Sequence, residues 1–197
     1  MKTPPKILEI DNESDLEKWL IEHGIDLSQW GCDHAKSVQN LLKEIQEGDC
    51  IIQYKPPLRI IHVVQALIFK DKYILTELGQ ELSDNRKRKR NLPPSEKMKP
   101  DENCLFAAIR CLDEELQITD DRITFLSKKC KPVIRYRYSK SYPGLKSKYY
   151  IYRVHVQVNG LPEKNFWSEE KNSGDHQQSV RRHFWGWTQM KNIKFSD

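Results

Sequence analysis

The chain has 197 residues, 38% hydrophobic and 31% charged, with a formal net charge of +5. That is the size of one domain, or of one domain with an extension, and the polar balance implies an economical core. No run approaches the ~18 apolar residues of a membrane-spanning helix, and much of the charge comes from Arg86-Lys87-Arg88-Lys89-Arg90, so the molecule as a whole is not a basic polyelectrolyte.

The first residues, MKTPPKILEIDNESD, turn acidic at once and contain no apolar core of a secretory signal. The five cysteines, at 32, 50, 104, 111 and 130, form no C-x-x-C pair. An odd, scattered set predicts reduced thiols inside a cell and argues against a zinc site. Ser14 with Glu17 predicts a capping box opening a helix over 15–23, closed by Gly24. A second helix is predicted over 34–46, capped by Asp33 and buried through Ala35, Val38, Leu41, Leu42 and Ile45. His23 and His34 read as helix-end residues. Residues 1–55 are too few to hold a core of their own and read as an N-terminal helical extension. Trp19 and Trp30 are the residues expected to pack it onto a main domain, residues 56–197.

After Pro56-Pro57, the β-branched run 58–69 and the segment 73–76 predict a hairpin whose first strand is central. His62 reads as a residue of that strand's core or ladder. Residues 79–91, GQELSDNRKRKRN, read as an exposed basic loop. The run suits a nuclear-localisation signal, a nucleic-acid patch, a lid over a phosphate substrate, or simply a solvated face. A loop with two prolines then leads into a helix over 102–116 with Asp101 as N-cap. Leu105, Ala108, Ile109, Leu112 and Leu116 make its apolar face. Asp113, Glu114 and Glu115 crowd its C-terminal end, where the helix dipole is already negative. A hard divalent cation, which takes carboxylate oxygens, removes that conflict.

Residues 123–126 predict a short strand, and 132–138 and 148–158 alternate as a hairpin about Tyr142-Pro143-Gly144. Arg135, Arg137 and Arg153 lie on these strands beside tyrosines, a set suited to gripping phosphate and stacking on a base. The plainer reading is an amphipathic sheet with its polar face in water. A polar loop follows Phe166-Trp167-Ser168-Glu169-Glu170. Residues 180–190 read as a terminal helix whose Phe184, Trp185 and Trp187 close the core.

The segment 96–118 resembles the box of the Nudix hydrolase superfamily, G-x5-E-x7-R-E-U-x-E-E-x-G-U with U aliphatic. Glu102, Arg110, Leu112, Glu114, Glu115 and Ile118 match. Glu96, Cys111 and Gln117 stand in place of the first glycine, the glutamate after the arginine and the last glycine. The resemblance implies an α/β (α+β) fold, an α/β/α sandwich with a mixed sheet, the box helix on one face and the terminal helix on the other. It also implies hydrolysis of a nucleoside diphosphate linked to another moiety, dependent on Mg2+ or Mn2+. By that resemblance Glu114, Glu115 and Glu102 are candidate metal ligands, and Glu114, Glu115 and Arg110 are catalytic, with Arg110 orienting a glutamate. Arg135, Arg137 and Arg153 are candidate contacts to a phosphate-containing small molecule. Glu169 or Glu170, and less so Glu163, would supply a late acid. Cys111 is a poor ligand for a hard cation, so the other reading is a catalytically impaired module that binds a nucleotide or RNA. Nucleic acid would then be met through Arg86–Arg90. The expected setting is intracellular and cytoplasmic, with the nucleus left open by the basic run and no membrane involved.

Overall fold

A computed structural model describes residues 6–33, 35–127, 129–172 and 179–192. His34 and most of the polar loop before Gln178 lie outside the described residues. In chain order the elements are α1 (Glu13–Glu22), α2 (Val38–Gln46), β1 (Ile51–Gln53), β2 (Leu58–Lys70), β3 (Tyr73–Leu82), β4 (Lys87–Leu92) and β5 (Ser95–Lys97). Then follow α3 (Cys104–Leu116), β6 (Ile123–Phe125), β7 (Pro132–Tyr138), β8 (Lys146–Val158), β9 (Phe166–Glu169) and β10 (Val180–Gln189). They form a mixed α/β arrangement, a sheet with a few helices, as the sequence predicts. No described helix is long and apolar enough to cross a membrane. The chain divides into two compact units: Met1–His62 with Lys97–Asp101 and Val133–Ile151, and Val63–Glu96 with Glu102–Pro132 and Tyr152–Asp197.

In the first unit α1 begins earlier than Ser14 suggests. Asn12 is the cap, its side-chain oxygen accepting from the Asp15 amide at 2.9 Å. α2 begins later than expected. Asp33 has φ +48°, outside the extended region an N-cap needs, and Ser37 forms a capping box with Asn40 instead. Leu16, Trp19 and Leu20 of α1 and Val38, Leu41 and Leu42 of α2 are buried. Trp30 donates from Nε1 to the Pro143 carbonyl at 2.9 Å and tilts against the Tyr142 ring. The buried Glu44 carboxylate meets the Arg59 guanidinium, Lys36 at 2.7 Å and Lys97 at 3.3 Å. Burial works to raise the Glu44 carboxyl, but Arg59, Lys97 and Lys36 outweigh it and hold it down to about 2. β7 and β8 form the hairpin expected about Tyr142-Pro143-Gly144, with the Leu145 amide donating to the Tyr142 carbonyl.

In the second unit the sheet runs β6-β8-β2-β3-β10-β9, with β4 added to β3. The β2–β3 hairpin forms as expected, and β3 continues to Leu82. The basic run is a strand, not a loop. β4 pairs antiparallel with β3, placing Lys89 opposite Gly79 and Arg88 opposite Gln80. Cross-strand side-chain bonds account for the pairing: Arg88 donates to the Gln80 amide oxygen and Arg90 to the Glu77 carboxylate. Residues 180–189 form strand β10, not the expected terminal helix, and pair with β3 and β9. The segment alternates with period two. His183 and Trp185 face inward, while Arg182 and Phe184 lie against Trp167 on the other side. Aromatic residues favour a pleated surface, and Gly186 weakens a helix.

α3 starts two residues past the expected cap. Asp101 has φ +60°, and Asn103 accepts from the Leu105 and Phe106 amides at 2.9 and 3.0 Å. Its buried face is Cys104, Ala107, Ala108, Cys111, Leu112, Glu115 and Leu116. Relative to the expected stripe, the helix is rotated so that Leu105 and Ile109 are only half-buried while Cys111 and Glu115 turn inward. It ends at Gln117, in the left-handed conformation at φ 55° and ψ 38°. Cys104 and Cys130 form a disulfide with a Cα–Cα distance of 6.4 Å, so the expectation that all five thiols are reduced is corrected; Cys32, Cys50 and Cys111 are free. The pair is separated by 26 residues and carries no local sequence signature.

Candidate active site

The inward face of α3 meets polar groups from β3, β10 and the chain after β9, all within the second unit. Arg110 lies at the edge of this cluster. Its Nε and Nη2 donate to the two oxygens of Glu102 at 2.9 and 3.0 Å, a forked pairing, and its Nη1 reaches Glu114 at 3.2 Å. The Glu102 hydrogen bond, foremost, keeps the guanidinium charged against the cost of burial. Glu114 also accepts from Asn172 at 2.8 Å. Glu102 and Glu114 are therefore engaged in holding Arg110.

Glu115 is different. It is 6% exposed, and its Oε2 is buried with no hydrogen-bond partner among the described residues. Burial, then the charges of Glu77, Glu96 and Glu170, push its carboxyl well above the usual range; His183 opposes them. Cys111, one turn earlier, has no exposed surface, and burial raises its thiol further from ionisation. A soft thiol is in any case a poor ligand for a hard cation.

His183 lies between two carboxylates. Its Nδ1 is 2.5 Å from Glu77 and its Nε2 is 2.8 Å from Glu170. Burial works to lower its pKa, but the bonds to Glu170 and Glu77 and the nearby Glu115 raise it to about 9. At neutral pH the ring carries a proton on both nitrogens and donates in both directions. Arg90 adds a second cation on Glu77 at 2.9 Å. The stretch after β9 is laced to α3. The Lys171 amide donates to the Glu114 carbonyl, Lys171 Nζ pairs with Asp113, and Gln117 donates to the Glu169 carbonyl. Ser168 Oγ donates to the Glu115 carbonyl and accepts from Trp185 Nε1 at 2.7 Å.

Of the residues expected at the site, Arg110, Glu102, Glu114, Glu115 and Glu170 come together. Glu169 lies on β9 with only its carbonyl engaged to α3, and Glu163 is exposed and paired with Lys70. Arg153 belongs to the second unit and donates to Gln65, whereas Arg135 and Arg137 belong to the first. Glu77 and His183 were not singled out from sequence. Glu77 fell just beyond the strand predicted over 73–76, which in the structure continues to Leu82; His183 was hidden by the reading of its segment as a helix.

Among the described residues, no three His, Cys, Asp or Glu side chains stand in metal-ligating geometry. The donor chemistry near Glu115 nonetheless suits a hard cation, because a bare, buried carboxylate oxygen sits among like charges.

No protein-family model matches the chain, and no curated protein does. Among solved structures, an Ap4A hydrolase from C. elegans in a binary complex is 18% identical, with 67% of this chain and 83% of that one covered and a TM-score of 0.34. A Nudix hydrolase from Nitrosomonas europaea is 19% identical over 68% of this chain and 75% of its own, at a TM-score of 0.38. The E. coli dihydroneopterin triphosphate pyrophosphohydrolase is 15% identical over 65% and 80%, at 0.36. Solved Nudix hydrolases are thus what this chain is similar to.

Proposed function

We propose that the chain is a Nudix-like hydrolase that cleaves the diphosphate of a nucleoside diphosphate joined to another moiety, at the inward face of α3. The observation that carries this reading is the bare Glu115 carboxylate oxygen placed beside the Glu102–Arg110–Glu114 pairing. The pairing joins the two residues that match the box's first glutamate and its arginine, and it holds the helix turn that presents Glu115. Glu115, with Glu114 beside it on the helix and Glu102, would hold a divalent ion, Mg2+ or Mn2+. When bound, the ion would neutralise charge on the diphosphate and lower the pKa of a water. The remaining work falls to the chain's own groups. Arg110 keeps Glu102 and Glu114 in place. His183 holds Glu77 and Glu170 in a fixed orientation through two donated protons. Ser168 ties the helix carbonyl of Glu115 to Trp185, which limits how far the helix end can shift.

The extent of the active portion, residues 56–197 with residues 1–55 as an extension, is part of the same proposal, as is a phosphate contact from Arg153 of the same unit. The test is a panel of nucleoside diphosphate compounds with magnesium or manganese, following phosphate-product release by the wild-type chain and by Glu115→Gln. Metal-dependent release lost in the variant supports the reading; no release from any compound with either metal sinks it. A second reading, a nucleotide-binding module without turnover, is favoured by the buried Cys111 and by the engagement of Glu114. Ligand binding measured by calorimetry without product release would identify it.

A further inference from the structure

We propose that the exposed face of the β7–β8 hairpin in the first unit binds single-stranded nucleic acid. The proposal stands on residues separate from the α3 site and does not depend on hydrolysis there. Strand alternation puts Ile134, Tyr136 and Tyr138 on one face of β7, and Lys146, Lys148 and Tyr150 on one face of β8. Tyr136 is 56% exposed and Tyr138 72% exposed, unusual values for two aromatic side chains two residues apart. The lysines lie over the rings. Lys146 Nζ is 5.6 Å from the centre of Tyr136, and Lys148 Nζ is 5.7 Å from Tyr136 and 4.6 Å from Tyr150. The Tyr150 ring in turn stacks on His62, with centroids 4.7 Å apart and planes 17° from parallel. Burial and Lys148 both lower the His62 pKa, so this ring is neutral and presents a flat heteroaromatic surface. The result is a row of rings, Tyr136, Tyr150 and His62, spaced by ammonium groups.

Along the hairpin's own sequence the charge has one sign. Residues 132–151 contain Arg135, Arg137, Lys140, Lys146 and Lys148 and no Asp or Glu. The acid-free stretch extends from Arg122 to Pro162. Exposed tyrosine rings set among mobile lysine ammonium groups match a strand whose phosphates and bases alternate in the same way. A duplex fits less well, because its bases are stacked on one another and offer no ring face to Tyr136 or Tyr138. An anionic membrane surface would be met by the same lysines but asks for a contiguous apolar wedge. Here Ile134 is the only exposed aliphatic residue on β7.

The test is fluorescence anisotropy of the full chain with a labelled oligouridine and a labelled oligothymidine of about 12 nucleotides. Parallel titrations use the matching duplex and vesicles of phosphatidylcholine with phosphatidylserine. The single strands are expected to bind in preference to the duplex and the vesicles. Tyr136→Ala with Tyr138→Ala should weaken them by about ten-fold or more, while Tyr136→Phe with Tyr138→Phe retains most of the affinity. Lys146→Ala with Lys148→Ala should reduce the dependence of log Kd on log salt by about 1.4, roughly 0.7 per lost phosphate contact. Lys87→Ala with Lys89→Ala on β4 is the control for non-specific charge and should leave affinity nearly unchanged. Circular dichroism and thermal melts establish that each variant is folded. The proposal is overturned by equal binding of duplex and single strand, by an unaltered Kd in the folded tyrosine-to-alanine variant, or by loss of binding in the β4 control alone. It is equally overturned if only vesicles bind, which would make the hairpin a membrane contact, or if no probe binds.

Discussion

His183 Nδ1 lies 2.5 Å from a carboxylate oxygen of Glu77, and both side chains are almost wholly buried. A protonated imidazole thus acts as an internal counter-ion between β10 and β3. Glu170 takes its other proton and Arg90 adds charge on the far oxygen of Glu77. The cluster balances several carboxylates with fixed cations from its own chain.

The first prediction follows from the sign of that balance. His183 is raised from 6.5 to about 9, so the stability it contributes is fully present below pH 6.5 and is lost as pH rises through 9. The raised Glu115 carboxyl acts in the same direction, since its ionisation in the folded chain is unfavourable. Thermal melts across this interval should show a progressive fall for the wild type. His183→Gln should melt lower at pH 6.5, by about 3 kcal/mol or more, and show a flatter profile. A wild-type melting temperature that rises from pH 6.5 to 9 would contradict the charged His183.

A second prediction concerns the basic strand. As an exposed loop, residues 86–90 would tolerate replacement by serine without loss of folding. As β4, they are not equivalent. Arg90→Ser removes a cation from the buried Glu77 and should cost about 1–3 kcal/mol. Lys89→Ser, on an exposed side chain, should change stability by less than about 0.5 kcal/mol. Urea melts of the two single variants separate them, and equal midpoints would mean the Arg90–Glu77 pair contributes nothing.

Cys111→Glu is the third test. The substitution restores the box's glutamate, which from sequence alone promises tighter magnesium binding. The structure places Cys111 at 0% exposure among apolar residues of α3, so a glutamate there is a buried charge beside Glu115. The expected outcome is a loss of about 3 kcal/mol or more in stability. Cys111→Ala should be far milder. Calorimetric titration of magnesium alongside the melts decides the matter: tighter magnesium binding with an undiminished melting temperature would contradict the buried, non-ligating placement of Cys111.

Glu115→Gln makes the fourth. The glutamine is nearly isosteric with the protonated acid that burial and the neighbouring carboxylates favour. Stability at neutral pH should stay within about 1 kcal/mol of wild type, while hydrolysis, if the proposed function holds, should fall below detection. A strongly destabilised Glu115→Gln would show instead that the ionised carboxylate holds the fold together.

Where the sequence was legible, period and turn chemistry agreed with the tertiary setting. The β2–β3 hairpin, α3 and the β7–β8 hairpin all carry a local pattern that packing then reinforced. The places of Glu102 and Arg110 were readable from the box spacing, but not that they pair: Glu102 was expected to hold metal, and which glutamate Arg110 orients was left open. β10 was misread because Phe184, Trp185 and Trp187 satisfy an aromatic-rich helix as well as a strand, and only partners on β3 and β9 decide between them. β4 was misread because its pairing depends on Gln80 and Glu77, whose inward orientation no local rule announces. The rotation of α3 had the same origin. Glu115 is buried by groups arriving from β10 and from the chain after β9, and a helical wheel drawn on apolar residues alone turns it to solvent.

Gln117 carries a wider consequence. It occupies the place of the box's last glycine, and its backbone still adopts the left-handed turn for which glycine is normally chosen. Its amide side chain reaches the Glu169 carbonyl, a bond glycine cannot make. Replacing Gln117 with glycine would therefore ease the turn and at the same stroke unfasten β9 from the end of the helix.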